Sequence, residues 1–201
     1  MRGNGHSINS ARLIQEPIDG NIFITGHTSG LGLSIYNHFK QKPDCIVGGI
    51  SRTTGFDLTT DVNKVVEMVK TTECDYFFNN AHVGDVQSKL LRELSDYTCV
   101  ISSGSMAADA AQIKPEPYYL NKFDLERTHR LIKKNNTLPM LLLKMGYLEN
   151  YVDREPVSYD TIVSAIDFWI QNPRVSMIEF DNINYAKNFP EINKYIEHKN
   201  D

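Results

Sequence analysis

Two stretches of this chain put chemically capable residue types at suggestive spacing. In "YYLNK" (118–122), Tyr118 stands four residues ahead of Lys122, one helical turn, so on a helix both side chains leave the same face. Spacing alone is satisfied by an ordinary surface helix, because short patterns of two common residues recur by chance. Tyr119 has Phe123 at that distance and no lysine partner. The other stretch is "TGHTSGLG" (25–32), where an apolar run gives way to a helical pattern. In that context glycines shape a phosphate-holding loop: Gly26 permits a tight turn, Gly30 lets backbone approach a pyrophosphate, and Gly32 lets the helix pack closely. The free N–H groups at the helix start then face an anion.

Other constellations are poor. The histidines, His6, His27, His38, His82, His129 and His198, show no metal-ligand spacing, and no metal is expected. "SSGSMA" is no nucleophile elbow. Cys45, Cys74 and Cys99 form no CxxC pair and read as buried or half-buried free thiols. His129, with Arg127 and Arg130, reads as a solvated helix face, and Trp169 as core beside Ile162, Ala165 and Ile166.

The elements that must position these residues alternate. "NIFITG" (21–26) is a strand followed by a helix with Leu31, Ile35 and Phe39 inward. "CIVGGIS" (45–51) is a buried strand that runs through "RTTG" into "FDLTT" with no room for a helix. "DVNKVVEMVK" then sets Val62, Val65, Val66 and Val69 on one face, with Thr60 or Asp61 as cap. "DYFFNNA", "TCVISS", "LPMLLLKMG" and "VSMIEFD" read as further strands. Between them lie "SKLLRELS", the long helix carrying "YYLNK", and a helix capped by Ser158 and stopped by Pro173. Wholly apolar strands alternating with helices predict an α/β fold, a Rossmann-like doubly wound parallel sheet with helices on both faces, in a single domain. Its expected limits are 21–183, with an N-terminal extension over 1–20 and a polar tail over 184–201.

A length of 201 residues, 41% of them hydrophobic, suits one core. A formal charge of -4 lacks the basic footprint of a nucleic-acid binder. No apolar run is long enough to span a bilayer and the start lacks a signal-peptide core, so a soluble, cytoplasmic protein is expected, with no membrane partner.

Four motifs in order, TGxxxGxG after the first strand, "NNA", "ISS" and YxxxK, resemble the short-chain dehydrogenase/reductase family from about Asn21 to Asn182. The resemblance implies an NADP-dependent oxidoreductase, of the carbonyl reductase or alcohol dehydrogenase type, that transfers hydride between nicotinamide and a small carbonyl or alcohol substrate. Tyr118 resembles the general acid/base, a phenol that must titrate well below its usual value of about 10. Lys122 would stabilise the phenolate and bond the nicotinamide ribose. Ser103 resembles the residue that polarises the carbonyl, with Ser102 and Ser105 as competitors. Gly26, Thr28, Ser29, Gly30, Leu31 and Gly32 would line the pyrophosphate. Asp57 and Leu58 resemble the pair at the adenine, and Asn80, Ala81 and His82 the stretch along the adenosine side. Gly146 and Leu148 stand in the loop beside the nicotinamide, with Met145 where proline is usual. At the end of the second strand "GGISRTT" offers Ser51 and Arg52, and no acid, which favours NADP over NAD.

The departures are specific. His82 replaces a glycine, as a specificity device or a satisfied loop histidine. The family's helix between second and third strands is missing, and the segment before "ISS" is short and lacks an asparagine, leaving Gln87 to replace the fourth catalytic residue. The usual helix-paired dimer is therefore not carried over; a homo-oligomer stays open. The alternative is a catalytically weak or inactive dinucleotide-binding sensor of the same fold.

Overall fold

The computed structural model describes residues 18–148 and 156–180. The expected tail over 184–201 and most of the N-terminal extension lie outside them. Six strands form one sheet in the order β2-β1-β3-β4-β5-β6, every pairing parallel. They are β1 Gly20–Thr25, β2 Cys45–Ile50, β3 Tyr76–Asn79, β4 Cys99–Ser105, β5 Met140–Met145 and β6 Met177–Phe180. The helices are α1 Gly30–Lys40, α2 Val62–Thr71, α3 Val86–Leu94, α4 Pro117–Lys133 and α5 Tyr159–Gln171.

Side-chain alternation along the strands builds two cores. Ile22, Ile24, Phe78, Ile101, Leu141 and Leu143 pack against Leu31, Ile35 and Phe39 of α1 and Ile162, Ile166 and Trp169 of α5. On the other face Phe77, Val100, Met140 and Leu142 meet Val65, Val66 and Val69 of α2, Leu90, Leu91 and Leu94 of α3, and Leu125 of α4. All six residues of β5 are buried, as a strand covered on both faces requires. Ser158 caps α5 as expected, its hydroxyl accepting the Thr161 N–H at 3.1 Å. Trp169 is buried, and its indole N–H donates to the Val175 carbonyl at 2.6 Å. Cys74 and Cys99 are buried thiols and Cys45 is half-buried.

Several local expectations change, among them the missing helix: α2 lies between the second and third strands of the sheet. The strand "CIVGGIS" buries only Ile50, because β2 is the sheet's edge. Among the described residues no strand pairs with its outer side. "FDLTT" is instead a turn, in which Asp57 Oδ1 accepts the N–H and hydroxyl of Thr59 at 2.9 and 2.8 Å. Asp61 stands at the start of α2 without capping it; its carboxylate accepts the Asp57 N–H and the Lys64 ammonium. His129 is not solvated: α4 turns it inward, 1% exposed, and burial pulls it down to about 4, while Arg127 and Arg130 face solvent.

Chain order reverses between β1, whose successor lies on one side, and β3, which lies on the other. The crevice outside the carboxyl ends of these strands is where open α/β sheets hold ligands. The loop 26–29 and the segment Asn80–His82 both open there.

Candidate active site

The glycine loop is built for close approach. Gly26 and Gly30 take φ of +70° and +53°, a region costly to residues bearing a Cβ. A Cβ on Gly32 would sit 2.2 Å from the Gly26 carbonyl oxygen and 2.6 Å from Asn80 Nδ2, so α1 starts against the turn it follows. Ser29 precedes α1 in extended conformation, and its side chain does not cap the helix. The first amides of α1 are thus left to an anion. These features fit a dinucleotide pyrophosphate.

Thr25, just before the loop, was not singled out from sequence, yet it ties the crevice together. Its hydroxyl donates to the Phe78 carbonyl and accepts the N–H groups of Asn80 and Ala81 at 2.8 and 2.9 Å. The Asn80 amide donates back to the Thr25 carbonyl at 3.2 Å. A "TG" pair facing "NNA" was the available signal.

β4 and α4 bring the reactive candidates to the same end of the sheet. Tyr118 lies in the first turn of α4 and is 42% exposed, whereas Lys122 is 4% exposed. The Lys122 ammonium lies 5.8 Å from the centre of the Tyr118 ring. It donates to the Ser103 carbonyl at 2.8 Å and to Gln87 Oε1 at 2.7 Å. Among the described residues it forms no ion pair with a carboxylate, and burial brings it down to about 7. His82 meets Tyr118 edge to face at 4.9 Å. Partial desolvation, then the Lys122 charge, hold His82 below the ordinary imidazole range, and a hydrogen bond with Gln87 opposes them.

The serines differ. Ser102 is buried among β-strand neighbours, 3.4 Å from Asn79 Nδ2. The Ser103 hydroxyl donates to Asn80 Oδ1 at 2.9 Å. Ser105, the last residue of β4, accepts the Ala107 N–H at 3.1 Å. Tyr119 packs near Ala110 with Tyr147 and meets the Tyr118 ring edge to face at 6.0 Å.

At the edge of the crevice, Ser51 and Arg52 belong to a tight turn, with Arg52–Thr54 a short 3-10 segment. Ser51 Oγ and Thr53 Oγ1 are 2.7 Å apart, and Thr54 Oγ1 accepts the Ser51 N–H at 3.0 Å. Arg52 is exposed there. Hydrogen bonds from Thr59, and after them the Arg52 charge, hold the Asp57 carboxyl below its ordinary value; the carboxylate is used within its own turn. Leu58 is buried. On the far side Met145 ends β5 in the core, Gly146 donates its N–H to the Phe180 carbonyl at 3.1 Å, and Leu148 bridges to Val157.

Lys144 escaped sequence reasoning altogether. It lies within β5, 5% exposed, and pairs with Asp109 at 2.6 Å, Glu126 at 3.4 Å and Glu179 at 3.9 Å. Burial opposes its charge, but the Asp109 hydrogen bond and the three carboxylates prevail and hold it above the ordinary lysine value. Among the described residues no helix is long and apolar enough to cross a membrane.

No family model matches the sequence, and no curated protein is similar to it at the sequence level. Solved structures are similar in fold. One is a small-chain dehydrogenase in complex with NADPH, with a TM-score of 0.63 at 15% identity, over 82% of this chain and 97% of that one. Another is the 3-alpha-hydroxysteroid dehydrogenase from Pseudomonas sp. B-0831 complexed with NADH, with a TM-score of 0.61 at 16% identity, over 85% and 99%. A third, a short chain dehydrogenase from Burkholderia cenocepacia in complex with NADP, gives 0.67 at 12% identity, over 90% and 96%. The chain therefore has the fold of the short-chain dehydrogenases, as its four motifs implied.

Proposed function

We propose that this chain is an NADP-dependent oxidoreductase acting on a small carbonyl or alcohol. The observation that carries the reading is Lys122: a buried amine one helical turn from Tyr118, at the end of the sheet where the glycine loop opens. The bound nicotinamide supplies or accepts the hydride. Tyr118 passes a proton to or from the substrate oxygen, and Lys122 in its charged form favours the phenolate by proximity. A serine hydroxyl donates to the same oxygen as charge develops on it. Of the two candidates, Ser103 spends its proton on Asn80, whereas the hydrogen bond formed by Ser105 uses only its oxygen. That difference favours Ser105 as donor, with Ser103 holding Asn80 in place. Gly26, Gly30, Gly32 and the start of α1 would hold the pyrophosphate, and Ser51 and Arg52 the additional phosphate.

NADPH oxidation across a panel of ketones and sugar-like carbonyls tests this reading. Turnover that depends on Tyr118 supports it; tight NADPH binding with no turnover on any carbonyl would make the chain a dinucleotide sensor. His82, packed against the Tyr118 ring where the family has glycine, is the observation that favours the second reading.

Cofactor choice has its own test. A guanidinium paired with phosphate is a charge-assisted contact of about 1.5–3 kcal/mol. Arg52→Ala should weaken NADPH binding by roughly tenfold to a hundredfold while NADH affinity hardly moves, measured by titration of cofactor fluorescence. Equal losses for both cofactors would remove the argument for NADP.

A further inference from the structure

Among the described residues two lysines are almost closed to solvent and are treated in opposite ways. Lys144 is 5% exposed and surrounded by Asp109, Glu126 and Glu179; Lys122 is 4% exposed, and among the described residues it donates to neutral acceptors, Gln87 Oε1 and the Ser103 carbonyl. Both are shut off from solvent, but Lys122 is the more deeply desolvated, and its partners are neutral where those of Lys144 are charged.

The Gln87 amide can face only one way. Its Nε2 donates to the Asn79 carbonyl at 2.7 Å and to the Ser103 carbonyl at 3.2 Å, which leaves Oε1 to accept from the lysine and from His82. Its own backbone carbonyl accepts Asn79 Nδ2 at 2.7 Å. The side chain is 3% exposed, so this orientation is fixed by three buried partners rather than by solvent. Gln87 thereby joins α3 to β3, β4 and α4 at the point where Lys122 must stand.

Resting on the reading of Tyr118 and Lys122 as reacting and tuning groups, we propose that Gln87 is a positioning residue for the reaction. It anchors the Lys122 amine beneath Tyr118 through a neutral oxygen, so the amine keeps an adjustable charge that a carboxylate would lock in place. The other titratable groups facing this amine are Tyr118, on its own helix, and His82, from the segment after β3. Neither is a carboxylic acid, and the phenol of Tyr118 favours the ammonium only when it is itself ionised. With no carboxylate to oppose it, burial brings Lys122 down to about 7; Lys144, less deeply desolvated and paired with Asp109, Glu126 and Glu179, goes the other way.

The test uses the full chain labelled with [13C]lysine, in which the Lys122 ε-carbon resonance, assigned by its loss in Lys122→Met, is followed with pH. Gln87→Glu should move the Lys122 midpoint up by at least one pH unit, and Gln87→Met, which removes the acceptor while keeping the volume, should move it down. The pH at which kcat/KM with NADPH changes should follow in the same directions, while the NADPH dissociation constant stays within about threefold of wild type. An unmoved Lys122 midpoint in both variants overturns the proposal, and so does a midpoint that moves while the kcat/KM profile of an active enzyme does not. If one variant fails to fold, the other alone still gives the sign. The resonance is read without turnover, so a wild-type protein that never oxidises NADPH would sink the oxidoreductase reading while the Gln87–Lys122 coupling was still measured.

Discussion

Tyr118→Phe should lower carbonyl reduction by about a thousandfold or more and leave NADPH affinity close to wild type. General acid/base groups contribute roughly 10²–10⁴-fold, and every decade is about 1.36 kcal/mol of barrier. Phenylalanine keeps the ring, so the edge-to-face contact with His82 and the approach of the Lys122 ammonium both survive. What is lost is the phenol hydroxyl, and with it the exchangeable proton. Paired measurement of steady-state turnover and cofactor titration separates the outcomes. Undiminished turnover would show that another group moves the proton, and a parallel collapse of NADPH binding would mean that the phenol shapes the site without taking part in the reaction.

The second large effect is expected at Gly32, where the constraint is steric and belongs to the backbone. The methyl group of Gly32→Ala would sit 2.2 Å from the Gly26 carbonyl oxygen and 2.9 Å from its carbon. A flexible side chain could swing aside, but a backbone carbonyl in a turn held by the Ile50 carbonyl has little room to do so. Either α1 withdraws from the loop or the loop opens, and both spoil the anion-holding geometry. Overpacking of this kind costs about 1–3 kcal/mol, a fall in Tm of roughly 2–12 °C for a chain of this size. Cofactor affinity should fall about a hundredfold or more. Gly84 is the contrast, since an added Cβ there meets nothing within 4 Å. Gly84→Ala should carry only the strain of its φ of +50°, about 1 kcal/mol, with NADPH binding retained. Calorimetry and cofactor titration on the two variants check both halves. A Gly32→Ala protein with unchanged Tm and affinity would mean that the loop and helix can separate freely.

Much of this molecule was legible in one dimension. The strand-loop-helix at the start, the apolar strands β4 and β5 and the stripes on α1, α2 and α3 follow from periodicities that the backbone imposes on any sequence. The glycines of the loop were legible for a related reason: a left-handed turn or a close approach admits almost no other residue. Errors arose where partners decide. "CIVGGIS" is apolar enough for a buried strand, but it lies at the edge of the sheet and buries only Ile50, and strand order is set by pairings that its own residues do not specify. His129 stood between two arginines in sequence and was read as solvated, although one helical step of rotation separates its buried face from theirs.

Sequence alone thus determined the doubly wound architecture and the order of the motifs that resemble the short-chain dehydrogenases. It also placed Tyr118 and Lys122 one turn apart. Only the tertiary structure decided what kind of amine Lys122 is. Its acceptor Gln87 is 35 residues away, and so is the carboxylate of Asp109 that gives Lys144 the opposite character. Charge state depends on desolvation and on the groups within a few ångströms, and those neighbours are assembled by the sheet from segments that no local pattern connects.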